Sequence, residues 1–311
     1  MAVTLVEAAK VALGRGDVIK STVMELYARS SDILRTLMFE GIPGNALLFN
    51  RESSLATVGF RSINSGYTEG TGKFDKVNEP LTIAGGDLDV DKFIVDTMGV
   101  DQRAVQEASK VKALALSWSK TFIKGDTSST PQEFDGLQSR ISSSYTVNAG
   151  SASGGDALSL GKLDELIDTV DNPTHLMMNK TMRRRLTVAA RTTSVGGNIS
   201  WVQDEFGRQI AMYNDLPILI ADKDNTNTNI LPFTEANPGG GSAASTSIYC
   251  LSLAEDGIVG LQNGEMDVRD LGELESKPVL RTRIEWYTTI AILRENSAGR
   301  LNGIKDAVVT T

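Results

Sequence analysis

One histidine, His175, and one cysteine, Cys250, supply all the imidazole and thiol in the 311 residues of this chain. One of each cannot build a Cys/His zinc site. A Ser-His-Asp or Cys-His relay would have to run through His175, and no nucleophile-elbow sequence accompanies it. His175 follows Asn172-Pro173-Thr174 and opens a short strand-like run, so it reads as a packed or hydrogen-bonded structural residue. Cys250 lies in the apolar run Ile248-Tyr-Cys-Leu251 and reads as a small core residue with no disulfide partner. Gly70-Thr-Gly-Lys73 lacks the spacing of a phosphate loop, and there is no dinucleotide fingerprint. No cofactor is therefore expected.

Carboxylates are the remaining chemical resource. Asp87, Asp89, Asp91 and Asp96 cluster, and the first three have the alternate spacing of a calcium loop. The sixth position of that loop is Lys92 rather than Gly, and the twelfth is Met98 rather than Glu, so no metal is expected there. Alternation with Leu88 and Val90 gives a simpler reading, one acidic face of a strand. A carboxylate-based hydrolase is kept as an alternative, although no particular pair stands out.

Charge narrows the partners. Lys and Arg number 31 against 39 Asp and Glu, a net charge of −8. Without a basic arm, nucleic acid would be held only weakly and non-specifically. Arg183-Arg184-Arg185 fits a solvated helix face or a subunit contact. The N-terminus has no basic segment followed by a long apolar one, and no run approaches 18 apolar residues, so no membrane partner is expected.

The elements that would position these groups follow from periodicity. Residues 3–14 and 17–39 read as two amphipathic helices, the second with Asp17 as N-cap and Leu37/Met38 on its apolar face. Ala46–Phe49, Leu55–Phe60 and Leu81–Ala84 are strand-like and surround a polar, Gly-rich middle. Together they suggest a long hairpin whose tip is too polar to bury itself. Residues 99–124 form the clearest helix: Val100, Ala104, Ala108, Val111, Ala115, Trp118 and Phe122 share one face, and Gly125 is the stop. A mixed α/β section follows, with helices over Leu160–Val170 and from a cap at Asn179 to about Ala190, and strands at Thr174–Met178 and Leu216–Ala221. Ile258–Gln262 and Glu265–Arg269 flank Asn263-Gly264, a strong hairpin signal. Finally Arg281–Arg294 has no Gly or Pro and is rich in β-branched and aromatic residues. It reads as one strand of roughly 45 Å, with Arg281, Arg283 and Glu285 on one face and Thr282, Ile284 and Trp286 on the other.

This order of elements resembles the major capsid proteins of tailed phages, the Hong Kong 97-like fold shared with encapsulins. The segments that carry the resemblance are Phe122–Asp126 with Pro131–Leu137, His175–Leu186, Phe206–Ile210 through Asp222, Glu255–Leu261 and Arg281–Tyr287. It implies an α+β chain with an N-terminal arm (1–44), an extended β-hairpin loop (45–95), a peripheral domain holding the spine helix and long strands (96–129 and 276–311), and an axial domain (130–275). The implied function is a self-assembling subunit of an icosahedral head enclosing double-stranded DNA. That places it in the virion, and in the host cytoplasm during assembly, as pentamers and hexamers. Portal and decoration proteins are the implied partners, with a separate scaffolding protein, or none, because the arm begins almost at Met1. Tyr67, Glu69, Lys73, Phe74, Asp75 and Lys76 would touch a neighbouring subunit from the loop tip. Val111, Ala115, Trp118 and Phe122 would form the core face of the spine helix. Some relatives cross-link a loop lysine to a neighbour's asparagine. Lys73 and Lys76 with Asn296 or Asn302 are the matching residue types, but ordinary surface lysines are the simpler reading. An encapsulin shell protein is the nearest alternative, and a tail or decoration protein a more distant one.

Overall fold

The computed structural model describes residues 3–5, 10, 14, 26, 31–98, 101–191, 199–203 and 209–310. Asp17, Val100, the Thr192–Asn198 loop and Phe206-Gly-Arg208 lie outside the described residues.

Two sheets organise the chain. The first runs β1 (Val3–Thr4), β2 (Met38–Gly41), β12 (Ile258–Gln262), β14 (Val279–Ile292), β13 (Asp267–Glu273), with β5 (Thr82–Asp91) also paired to β14. The second has seven strands: β6 (Thr146–Asn148), β15 (Ala298–Ile304), β11 (Thr246–Leu251), β7 (His175–Met178), β10 (Leu216–Ile220), β9 (Gln209–Tyr213) and β8 (Ile199–Gln203). β3 (Ala46–Ser54) and β4 (Lys73–Pro80) form a separate hairpin. The helices are α1 (Asp32–Thr36), α2 (Lys92–Met98), α3 (Asp101–Lys124), α4 (Leu137–Arg140), α5 (Leu160–Asp168) and α6 (Lys180–Ala189).

β14 is the long strand that the composition predicts, 14 residues, and both its edges are used. β5 pairs with it from Val279↔Asp91 to Thr288↔Thr82. On the opposite edge β13 pairs with residues 280–285 and β12 with 288–292. Asn263-Gly264 is therefore not a hairpin turn. It joins two strands that run one after the other along the same edge of β14. The reason is long-range pairing: the Asn263 N–H donates to Tyr287 O (3.2 Å) and the side-chain amide to Gly44 O (2.7 Å), while Gly264 takes φ +76°. A partner strand this long supplies more ladder bonds than a local turn.

α3 spans about 36 Å. Its apolar face is buried only in the second half, where Val111, Ala115, Trp118 and Phe122 are covered; Ala104 and Ala108, expected on the same face, are exposed. Phe39, Trp118, Phe122, Phe134 and Trp286 gather there, with Trp118 centroids 5.5–6.1 Å from the other four rings. Gly125 follows the last residue of the helix, and only glycine fits there, because a Cβ would lie 2.1 Å from Phe134 O. The Trp286 indole donates to Gln262 Oε1 at 3.1 Å.

The central strands of the seven-stranded sheet, β7, β10, β11 and β15, are buried on both faces, which explains their nearly unbroken apolar runs. Leu176, Met178, Ile218, Ile248 and Cys250 pack with Leu163, Leu166, Met182 and Leu186 of α5 and α6. Met177, Leu219, Tyr249 and Leu251 join the core beneath α3 and β14. Asn179 caps α6 as its position predicts, accepting from Met182 N at 2.8 Å.

Several expected boundaries shift. Val3 and Thr4 pair with Phe39 and Met38, so the helix expected from residue 3 begins as strand, and the second ends at Thr36. β5, drawn from sequence into the 45–95 loop, belongs to the sheet of β14. β12 and β13, drawn into 130–275, join that same sheet, while β15, drawn into 276–311, sits between β6 and β11. The two halves of the molecule exchange strands in a way that contiguous ranges do not express.

Candidate assembly surface

The hairpin is the outstanding surface feature. Its inner face, Leu47, Phe49, Arg51, Val77 and Glu79, is at least half-buried, and its outer face, Leu48, Asn50, Glu52, Phe74, Lys76 and Asn78, is exposed. Ladder pairing stops at Ser54↔Lys73. The Leu55–Phe60 run, expected as a strand, has no strand pairing, whereas Lys73, Phe74, Asp75 and Lys76, expected in a loose tip, lie on β4. Tyr67 and Glu69 do lie in the loop and are exposed; the Arg61 guanidinium sits 5.1 Å from the Tyr67 ring centroid.

Beyond the ladder the two arms of the loop stay close. A Cβ at Gly70 would fall 2.6 Å from Thr57 Cβ, so the glycine admits an approach that a side chain would block. Leu48, Leu55, Val58, Phe60, Ile63, Tyr67 and Phe74 are between 64% and 109% exposed, nearly half of the exposed large apolar residues among those described.

Two ion pairs that the sequence did not reveal clamp the hairpin base. Arg140 on α4 pairs with the buried Glu79 and also donates from Nε to Asp135 O at 2.6 Å. Arg51 pairs with Glu295 at 2.8 Å. The projecting ribbon is thus fixed at its root and bare at its tip.

The acidic face predicted for β5 meets the basic face of β14. Arg283 grips Asp87 and Arg281 grips Asp89, each through two bonds of 2.6–2.9 Å. Arg269 pairs with Glu285 and with Asp267. The side-chain bonds from Arg283 and Arg281 hold Asp87 and Asp89 below the usual carboxylate range. Arg281, Arg283 and Glu285 are therefore engaged within the subunit. On the other face Thr282 contacts Arg103 and Glu107 of α3, and Trp286 enters the aromatic core.

Burial, and secondarily the charge of Arg35, lowers His175 to about 4; its Nδ1 lies 2.9 Å from Thr174 Oγ1. Burial raises Cys250 to about 12. At the end of α3, Lys124, lowered by burial, lies 3.7 Å from Glu235, which also receives Arg300 (3.1 Å) and Ser247 (2.5 Å). Arg185 bonds Asp306 at 2.8 Å, and Arg184 is exposed. Asn296 is half-buried, with its carbonyl accepting from Asp171 N, and Asn302 is half-buried on β15. No group of three or more metal-ligating side chains occurs among the described residues. No helix among them is long and apolar enough to cross a membrane.

A cleft of about 290 Å³ opens between the second half of α3, the start of β5, β14 and the Thr130–Phe134 segment. Leu114, Trp118, Phe134, Ile284 and Trp286 give it an apolar lining, and Glu133 stands among the polar residues. The indole nitrogen of Trp118 is buried without an acceptor among the described residues.

Residues 15–160 match the family described as "Major capsid protein GP7". No curated protein matches the chain in sequence. Solved structures share the fold at low identity. The encapsulin SrpI from Synechococcus elongatus PCC 7942 matches at 17% identity and TM-score 0.64, over 90% of this chain and 89% of that one. A chain from Microbacterium phage Oxtober96 gives 10% and 0.61, over 87% and 90%. The capsid of an empty GTA particle gives 13% and 0.59, over 88% and 90%. The chain shares its α+β fold with these structures.

Proposed function

We infer that this chain is a major capsid protein of the Hong Kong 97-like kind, the structural subunit of a closed head. The observation that carries the reading is the hairpin: its root is clamped by Glu79–Arg140 and Arg51–Glu295, and its apolar outer residues are left to solvent. A monomer gains nothing from such a ribbon, whereas a shell buries it against the next copy, and closed symmetry repeats the contact at every position. The match over residues 15–160 takes in the hairpin and α3.

The chemistry of the carboxylates supports a structural role over a hydrolytic one. Asp87, Asp89, Asp126 and Asp270 are all held low by hydrogen-bond donors, the opposite of what a general acid requires.

In this reading Tyr67, Glu69, Lys73, Phe74, Asp75 and Lys76 belong to the surface that meets a neighbouring subunit. The seven-stranded half faces the five- and six-fold axes, and residues 1–44 act as the arm. The virion is its site of action, after assembly in the host cytoplasm with a scaffolding protein and a portal. With −8 net charge, packaged DNA is touched weakly. The SrpI likeness favours one second reading, the shell of an encapsulin compartment. Neighbouring genes separate the two: a portal and terminase for the head, a cargo enzyme for the compartment. Negative-stain microscopy of the chain expressed with its scaffolding protein tests both. Closed shells or capsomer rings are expected, and a persistent monomer would overturn the assignment.

A further inference from the structure

The β5 strand has one free edge. It pairs with β14 on one side only, and among the described residues no strand pairs with the other. Lys92 N donates to Pro278 O one step beyond the last register pair, Asp91↔Val279. Because antiparallel pairs alternate, the even-numbered residues of β5 then bond β14, and the N–H and C=O of Ile83, Gly85 and Asp87 point to the open side. Such an edge is a template for another strand. The cleft lies at this place, lined by Thr82–Gly85 and floored by Trp118 and Trp286.

A segment suited to that edge exists in the same chain. Leu55-Ala-Thr-Val-Gly-Phe60 has the composition of a strand, yet it has no strand pairing in the single subunit and its Leu55, Val58 and Phe60 are 79%, 92% and 109% exposed. Local preference and observed state disagree here, as they do where a partner is missing. Charge fits as well. Arg61 follows the run, and Glu133 at the cleft has no ion-pair partner among the described residues.

We propose that residues 55–60 of one copy add as a strand to the free edge of β5 in a second copy. An apolar side chain of the run enters the cleft, a peptide carbonyl accepts from Trp118 Nε1, and Arg61 meets Glu133. The inference rests on the shell reading and specifies where the loop binds.

Val58→Cys combined with Gln132→Cys tests it in assembled shells under mild oxidant. Cys250 is buried, so the introduced thiols are the reactive ones. The expected result is a ladder of covalent oligomers on non-reducing gels, absent from each single variant and from Val58→Cys with Val188→Cys. Hydrogen exchange on the unmodified shell is the second measurement: the amides of Ile83, Gly85 and Asp87 should slow by roughly tenfold or more relative to dissociated subunits. Shells that give no such ladder and no such protection overturn the inference and leave the shell reading intact. If the cysteine variants do not assemble, the exchange result on the unmodified shell decides. A chain that stays monomeric with its scaffolding protein present removes the shell reading and the inference together.

Discussion

Arg283 holds Asp87 across the β5–β14 register with two nearly parallel bonds, Nε to Oδ1 at 2.7 Å and Nη2 to Oδ2 at 2.9 Å. Arg281 repeats the grip on Asp89 and adds a contact to Asp87 at 3.2 Å. Both carboxylates have folded pKa values below their ordinary ones, through those arginine bonds. The unfolded chain therefore binds protons first as pH falls, and the contribution of the ladder is present above about pH 4 and lost below it. Thermal midpoints of the wild type should drop below pH 4 more steeply than those of Asp87→Asn/Asp89→Asn. Parallel curves would show the ladder to be energetically silent, as many exposed pairs are.

The second titration belongs to His175. Burial, then the Arg35 charge, sets its folded pKa at about 4, below the ordinary 6.5, so folding favours the neutral ring. The contribution is complete above pH 6.5 and disappears as pH falls toward 4. His175→Gln should flatten the stability profile between those limits. An unchanged profile would place the acid sensitivity elsewhere.

Removing Arg140 leaves Glu79 buried without its cation. The expected cost of Arg140→Ala is about 3 kcal/mol in chemical unfolding. Limited proteolysis should then reach the hairpin root near Glu79, a site the wild type protects. A loss under 1 kcal/mol would mean that solvent reaches Glu79.

Leu55→Asp/Val58→Asp/Phe60→Asp alters side chains that nothing in the subunit covers. The soluble subunit should keep its stability within about 0.5 kcal/mol. Shell formation should fail, read by size exclusion and microscopy. Normal shells from this variant would show that the run lies outside the contacts that assemble the head.

Much of the fold was legible because its signals are local and periodic. The Arg281–Arg294 run gave β14, the spacing through Phe122 gave the buried half of α3, and Asn179 gave a cap. The alternation of Asp87 and Asp89 marks one strand face, and that face is what Arg281 and Arg283 occupy. What escaped was pairing at a distance. Asn263-Gly264 carries a hairpin signal, yet the far end of the chain supplies a longer partner. Ala104 and Ala108 continue the apolar spacing of α3 past the point where the core ends. Glu79–Arg140 and Arg51–Glu295 join residues 61 and 244 positions apart, and no window of sequence reports such pairs. The Leu55–Phe60 run carries strand propensity alone, and propensity does not say whether a pairing edge is in the same molecule.

The placement of β15 sets an order on synthesis. Its residues 298–304 lie between β6 and β11, next to the far edge of the seven-stranded sheet rather than outside it. While the chain is being made, β6 emerges with its slot empty, and the slot fills only after a further 156 residues, from Asn148 to Ile304. At ribosomal rates this is a wait of roughly 8 to 30 s. The other sheet waits in the same way for β14. A nascent subunit thus has neither sheet complete, and the β5 edge is held in place by β14 only after residue 292 has emerged.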